Sequence, residues 1–259
     1  MDVSYEPNLY DTVTPATFQG DVDWYRRQAQ DTGGPVLELG AGTGRITLAL
    51  ARDGVMIHAL EASRHMLAAL RRKTADQPKE VQERVIPIEG DMCAFRLETR
   101  FALIIAPFRV LLHNLTEADH LACFQRVREH LRPGGRFAFN VFHPSLEYMA
   151  QHSGSLAGVW RWGGTFQSRD DGWVVRSEAN RYDTVRQRVH SLHRYEDYGP
   201  DGVLRRTFLH RLELSYLYPA DIERLLARSG FQSVRITGGF DGRPFARDTD
   251  ELVVEASVD

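Results

Sequence analysis

The chain has 259 residues, 42% hydrophobic and 26% charged, with a formal net charge of −3. A chain of this length buries roughly 70–75% of the surface that its unfolded form exposes, so it needs no staple, and its composition excludes a disordered chain or a disulfide scaffold. No apolar run approaches the ~18 residues of a membrane span, Met1–Pro7 has neither the basic nor the apolar stretch of a secretory leader, and no basic stripe marks a nucleic-acid binder. Thirty of the 32 basic residues are arginine, spread along the chain with a local concentration over 181–211. Cys93 and Cys123 have no Cys or His at ligand spacing, which fits separate thiols in a reducing, cytoplasmic setting.

In chain order, Trp24 and Tyr25 lie on an amphipathic helix. Val36–Leu39 is a short strand, and Gly44–Arg52 a helix carrying Ile46, Leu48 and Leu50. Val55–Leu60 is a second strand. Ser63 caps a helix with Met66, Leu67 and Leu70 at helical spacing. Arg84–Ile88 and Phe101–Ala106 are the third and fourth strands. Thr116-Glu117-Ala118-Asp119 resembles a capping box and opens a helix bearing Leu121, Phe124, Val127 and Leu131. Pro133-Gly134-Gly135 breaks the chain before a fifth strand, Arg136–Phe142. Strands separated by helices imply right-handed crossovers and a parallel sheet.

After residue 143 the texture changes. Residues 157–218 lack helical periodicity and are rich in aromatic and β-branched residues. Phe208, His210, Leu212, Leu214, Tyr216 and Tyr218 alternate, and Asp170-Asp171-Gly172 and Gly199-Pro200-Asp201-Gly202 are turn signals. An antiparallel addition of three or four strands follows from this. Pro219 starts a helix with Ile222, Leu225 and Leu226 that stops at Ser229-Gly230, and Phe231–Thr237 and Leu252–Ala256 return to the main sheet, with Gly238–Pro244 as an excursion between them.

The strongest local signal is Glu38-Leu39-Gly40-Ala41-Gly42-Thr43-Gly44, between a strand and a helix. Its glycines allow a sharp turn and close approach of a ligand, and the helix start offers free N–H groups. The spacing G-x-G-x-G differs from the dinucleotide pattern G-x-G-x-x-G, and Glu38 would repel a pyrophosphate but favour an ammonium group. Glu61 ends the second strand, where acids in nucleoside-binding α/β folds meet ribose hydroxyls. Asp91 follows the third strand in Gly90-Asp91-Met92, placed to accept from an adenine amino group while Met92 covers the ring. Strand ends line one edge of a parallel sheet, so the three acids converge there.

These residues, with Leu131-Arg132-Pro133-Gly134-Gly135, resemble the motifs of class I S-adenosylmethionine-dependent methyltransferases. The late insertion, with Tyr5 and Tyr10 at the front, looks most like the small-molecule branch of sugar-amine and glycine N-methyltransferase-like enzymes. The resemblance implies a doubly wound, Rossmann-like α/β fold. Its seven-stranded sheet is mostly parallel with an antiparallel last strand, and an antiparallel β-sheet is inserted. Residues 1–143 and 216–259 would form the cofactor-binding domain, with 1–32 as lid and helix, and 144–215 would cover the acceptor. It implies that Gly40, Ala41, Gly42, Gly44 and Arg45 pass beneath the methionine part of S-adenosyl-L-methionine, with Glu38 orienting its amino group through water. Glu61 and Ala62 would hold the ribose and Asp91 and Met92 the adenine. Ala106 and Pro107 would border the sulfonium, and Tyr10 and Tyr25 would close over the cofactor.

Methyl transfer to a small-molecule acceptor, nitrogen favoured over oxygen, is the expected activity, leaving S-adenosyl-L-homocysteine. Pro107–Asn114 should face the acceptor, with Arg109 a clamp for an acidic group and His113 a candidate base. His143, after the fifth strand, lies on the same edge. Trp160, Trp162, Phe166 and Trp173 either line an apolar pocket, form a dimer face or pack the added sheet. His190 and His193 fall on opposite faces of a strand, so no metal is expected. The chain is expected to be a monomer or homodimer that meets neither nucleic acid nor membrane. Two other readings stay open: a nicotinamide-dependent oxidoreductase, against the glycine spacing and Glu38, and a non-catalytic nucleoside-binding module.

Overall fold

The computed structural model describes residues 6–17, 20–143, 145–168, 171–248 and 250–259; Tyr5 and Asp170 lie outside them. Two helices, α1 (Pro7–Thr17) and α2 (Asp21–Thr32), precede an alternation of strands and helices. This runs β1 (Val36–Leu39), α3 (Arg45–Arg52), β2 (Ile57–Glu61), α4 (Arg64–Ala75), a short α5 (Lys79–Gln82), β3 (Val85–Glu89), β4 (Phe101–Ala106), α6 (Glu117–His130) and β5 (Leu131–Phe142). A short α7 (Leu146–Ala150) leads into β6 (Arg161–Gln167), β7 (Trp173–Asp183), β8 (Arg188–Tyr198) and β9 (Leu204–Ser215). The chain closes with α8 (Pro219–Arg228), β10 (Ser233–Thr237) and β11 (Glu251–Ser257).

The main sheet has the order β10-β11-β5-β4-β1-β2-β3. β1 to β5 pair in parallel, and β11 runs antiparallel between β5 and β10. β1 is buried along its whole length, as a central parallel strand with helices on both faces must be. On one face α6 and α8 bring Phe124, Ile222 and Leu226 against Phe137, Phe139 and Val254. On the other, α2 and α3 bring Trp24, Tyr25, Ile46 and Leu50 against Val36, Ile105 and Ala138. The capping box at Thr116 is formed: its hydroxyl accepts from the Asp119 N–H, and the Asp119 carboxylate accepts from the Thr116 N–H at 3.0 Å.

β5 begins earlier than the sequence implies. Leu131 already pairs with Phe101, and the register shifts between Phe101 and Leu103, so Pro133-Gly134-Gly135 is an irregularity inside the strand rather than a break before it. Gly134, at φ 70°, supplies the left-handed residue this needs. The second sheet is a four-stranded antiparallel meander, β6-β7-β8-β9. Tyr216 and Tyr218, which continue the alternation of the sequence, lie beyond its last strand. No helix among the described residues is long and apolar enough to cross a membrane.

Candidate functional site

A cavity of about 1800 Å³ opens between the carboxyl ends of β1–β5, helix α1 and the inserted sheet. Open α/β sheets place ligands at this edge because loops and helix starts present free backbone groups there. Gly40, Gly42, Glu61, Ala62, Asp91, Met92, Pro107 and Tyr10 all line it, as do Arg109, His113 and His143. The topology brings together residues that are up to 245 positions apart, from Glu6 to Glu251.

The glycine loop has φ 64°, 57° and 91° at Gly40, Gly42 and Gly44. A Cβ on Gly44 would come within 2.3 Å of Leu70 Cδ1, so glycine is required there for packing of α3 on α4. A Cβ on Gly42 would meet only Met66 Cε and Tyr10, at 3.7 and 3.9 Å, so this glycine faces open cleft. The Glu61 carboxylate crosses back to the loop, accepting from Gly42 N–H at 2.8 Å and Ser63 N–H at 2.7 Å. A carboxylate oxygen accepts more than one donor, so Glu61 keeps capacity for ligand hydroxyls. Burial pushes its carboxyl up from the ordinary glutamate range, against the pull of those backbone donors. Asp91 accepts from Cys93 N–H at 2.7 Å, which fixes its carboxylate beside Met92. A bare glycine surface, a carboxylate for hydroxyls and an acid beside a thioether succeed one another along the cleft. That order fits an amino acid, a ribose and a purine joined in a row.

Helix α1 forms the roof over the loop. Its Asp11 accepts from Thr43 Oγ1 at 2.6 Å and pairs with Lys73 Nζ of α4 at 2.6 Å. Tyr10 meets Phe108 edge-on, with centroids 5.8 Å apart.

Several residues expected at the cofactor are placed elsewhere. Tyr25 is wholly buried on α2, and its hydroxyl donates to Asn140 Oδ1 at 2.9 Å, so it packs the core instead of closing over a ligand. Arg45 turns to the buried Asp21, donating from Nη1 at 3.0 Å, and its guanidinium lies 5.7 Å from the Phe108 ring. Ala41, Gly44 and Ala106 shape the loop and strand end without reaching the wall. Glu38 is buried in β1, bonded by the Thr47 hydroxyl, and burial raises its carboxyl to about 8.

The acceptor end differs from expectation more strongly. Arg109 lines the cavity, but Nε and Nη2 grip Glu251 at 3.0 and 2.6 Å and its plane lies 5.3 Å from the Phe142 ring, so its charge is already matched. Phe108 and Arg109 both have left-handed φ, 56° and 63°. Each such non-glycine residue costs about 1–3 kcal/mol and persists only where its surroundings impose it. His113, on a 3-10 turn (Val110–His113), is half-buried beside His210, and desolvation, then the neighbouring imidazole, lower it to about 4. His143 shares its Nδ1 with the Asp248 carbonyl at 3.0 Å.

Residues that the sequence analysis did not place at the site complete this end. Arg176, Glu178, Asn180 and Tyr182 of β7 face it, with Ser191, His193 and Tyr195 of β8 and Phe208 and His210 of β9. Glu178, His193 and His210 sit in one cross-strand row. Tyr148 of α7 donates to Glu178 at 3.1 Å and accepts from Asn180 at 2.9 Å. The alternation at 176, 178, 180 and 182 is the sequence signal that would have found one wall. The tryptophans do not line the cavity: Trp162 is 74% exposed, Trp173 stacks on Tyr198, and Trp160 lies under Arg194.

A family model described as a methyltransferase domain matches residues 36–135, which span the glycine loop and the acids after β2 and β3. The structure of the CcbJ methyltransferase from Streptomyces caelestis superposes with a TM-score of 0.79, at 28% identity over 100% of both chains. Residues 36–135 are a methyltransferase domain, and the activity is S-adenosylmethionine-dependent methyl transfer. The glycopeptide N-methyltransferase MtfA, solved with S-adenosylmethionine, is similar at 29% identity and TM-score 0.60, covering 92% of this chain and 87% of that one. The cypemycin N-terminal methyltransferase of a Streptomyces species is 24% identical, over 96% of this methyltransferase and 97% of the relative. The enzyme therefore uses S-adenosylmethionine and methylates a small molecule, which sets aside the nicotinamide and non-catalytic readings.

Proposed function

We propose that the acceptor atom is an amine nitrogen, carried on a molecule large enough to span the inserted sheet. The carrying observation is the wall itself: ten aspartates and glutamates line the cavity against four arginines. Pairing Arg109 with Glu251 and Arg176 with Glu178 removes two from each side and leaves eight acids against two arginines. A cleft lined by one sign of charge concentrates the opposite sign, so an ammonium-bearing acceptor is drawn in and an acidic one, nucleic acid included, is repelled. The volume agrees, since a single ligand fills about 300–1000 Å³ and this cavity holds about 1800 Å³. The names of two relatives, an N-terminal and a glycopeptide N-methyltransferase, support nitrogen on a bulky acceptor.

When bound, the cofactor would supply a methyl group on a positively charged sulfur; an acceptor drawn in as ammonium first gives up its proton to solvent, and the neutral nitrogen is then the nucleophile. The chain's own residues bind and align. Gly40 and Gly42 support the amino-acid part, Glu61 and Ala62 the ribose, Asp91 and Met92 the base, and Pro107 borders the reacting end. Tyr10 closes the roof. Held neutral by burial, His113 accepts a hydrogen bond from the amine N–H and aims its lone pair; its low basicity makes it an orienting group rather than a proton sink. Alignment of this kind recovers up to about 7–11 kcal/mol of barrier. The two free thiols, Cys93 and Cys123, support a cytoplasmic setting, and a monomer or homodimer, with 144–215 as the acceptor-covering unit, completes the reading.

Incubation with isotope-labelled S-adenosylmethionine and matched panels of amines, alcohols and carboxylic acids tests this, with the methylated atom identified by NMR. Label on nitrogen is expected. Label on oxygen, with the amines inert, overturns it.

A further inference from the structure

We propose that Asn140 is a positioning residue for methyl transfer, acting through the loop Pro107–Val110. The proposal rests on reading the cavity as the place of transfer. Asn140 is wholly buried on β5 and joins three elements. Its Oδ1 accepts from the Tyr25 hydroxyl of α2 and from Phe108 N–H, both at 2.9 Å, and its Nδ2 donates to Glu251 of β11 at 2.7 Å. Glu251 in turn grips Arg109. The two successive non-glycine residues in left-handed conformation are thus the two whose backbone or side chain this network fastens.

The consequence is directional. With both residues left-handed, Phe108 goes to Tyr10 and Arg45 on the roof side, while Arg109 goes to Glu251 and Phe142 on the sheet side. Phe108 and Pro107 line the cavity where β4 ends. An extended loop would turn the ring away from Tyr10 and leave the reacting end open to water. Asn140 suits the task because one amide accepts and donates at once; a carboxylate or an aliphatic residue of that size cannot do both.

The test uses Asn140→Asp, which keeps shape and volume. One carboxylate oxygen still accepts from Tyr25 and Phe108, but the other now faces Glu251. While the pair shares a proton, the bond to Glu251 re-forms; once both are charged they repel. The titratable and charged groups facing this position are Tyr25 from α2, Arg109 from the loop and Glu251 from β11, with Asp21 of α2, Glu38 of β1 and Arg45 of α3 acting on Tyr25. Amide exchange of Phe108–Val110 and the kcat ratio of variant to wild type are followed against pH, with calorimetry of S-adenosylhomocysteine. The expected result is a ratio near wild type at low pH that falls about tenfold as the shared proton is lost. Loop protection falls in step, while amides of β4 and β5 and the cofactor Kd change less than about threefold.

Two results overturn the proposal: loop protection and kcat ratio that do not depend on pH, or protection lost equally across the sheet with Kd and kcat. Glu251→Ala, which removes the acceptor of Asn140 Nδ2, carries the test if Asn140→Asp fails to fold. It frees the Asn140 amide and the Arg109 side chain together; raised exchange over Phe108–Val110 with a lowered kcat and an unchanged cofactor Kd is expected, and unchanged exchange and kcat are contradictory. A wild-type enzyme that methylates no amine would defeat the nitrogen assignment, yet the exchange measurement would still decide the role of Asn140.

Discussion

Replacing Gly40 by alanine separates backbone strain from steric clash at the centre of the site. Gly40 has φ +64°, and a Cβ built there falls 2.2 Å from Cγ2 of Val110, 3.1 Å from its Cβ and 3.4 Å from its Cγ1. Carbon atoms pack at about 3.5–4.0 Å, so one methyl of Val110 must move by more than an ångström. The left-handed conformation alone costs an L-residue roughly 1–2 kcal/mol, and overpacking adds about 1–3 kcal/mol. Gly40→Ala should therefore lose about 2–5 kcal/mol. Val110 is half-buried, and Val110→Ala alone should lose about 1 kcal/mol or less. In the double variant the offending methyl is gone and the 3.1 Å contact remains, so the clash is relieved in part and the strain persists. Urea unfolding of all four proteins should give a favourable coupling of about 1–2 kcal/mol. Strict additivity would refute the claim that this loop is fitted against Val110.

Asp91→Ala should weaken binding of S-adenosylhomocysteine roughly tenfold to hundredfold, the worth of a hydrogen bond to a charged group; calorimetry that finds unchanged affinity would remove Asp91 from the adenine. His113 stays neutral in the fold down to about 4, whereas the unfolded chain takes the proton near the ordinary 6.5. Its contribution to stability is thus intact above pH 6.5 and lost as pH falls toward 4, at up to about 1.4 kcal/mol per pH unit. His113→Asn should shrink the difference in urea midpoint between pH 7 and pH 5, and an identical difference would contradict burial of a neutral imidazole. Asp11→Asn loosens the contacts of α1 with Thr43 and Lys73. Cofactor release should quicken several-fold with little change in stability, as for other part-exposed pairs; stopped-flow release at the wild-type rate would show that α1 is not a closing roof.

The glycine loop, the acids after β2 and β3 and the capped helix α6 were legible because each depends on neighbours within a few residues. Glycine at positive φ, an acid at a strand end and Thr116 three positions before Asp119 leave local marks. Asn140 and the pairing of Arg109 were not legible, because their partners lie 111 and 142 positions away. A charged residue after a strand looks the same in sequence whether it meets a ligand or a partner from β11. Tyr25 illustrates a related ambiguity: an aromatic on an amphipathic helix suits a lid or a core, and only the approach of β5 decides for the core. The acceptor wall escaped for another reason. Both faces of the inserted sheet are partly exposed, so polar residues occur on each and the alternation that marks a buried face is weak. The exposed tryptophans drew attention that belonged to Glu178, His193 and Tyr148.

A crystal structure of the enzyme grown with S-adenosylhomocysteine tests the account at its centre. The ligand should lie across the carboxyl ends of β1, β2 and β3, its amino-acid part over Gly40 and Gly42, its ribose at Glu61 and its adenine between Asp91 and Met92. A ligand seated elsewhere, or none at saturating concentration, would contradict it.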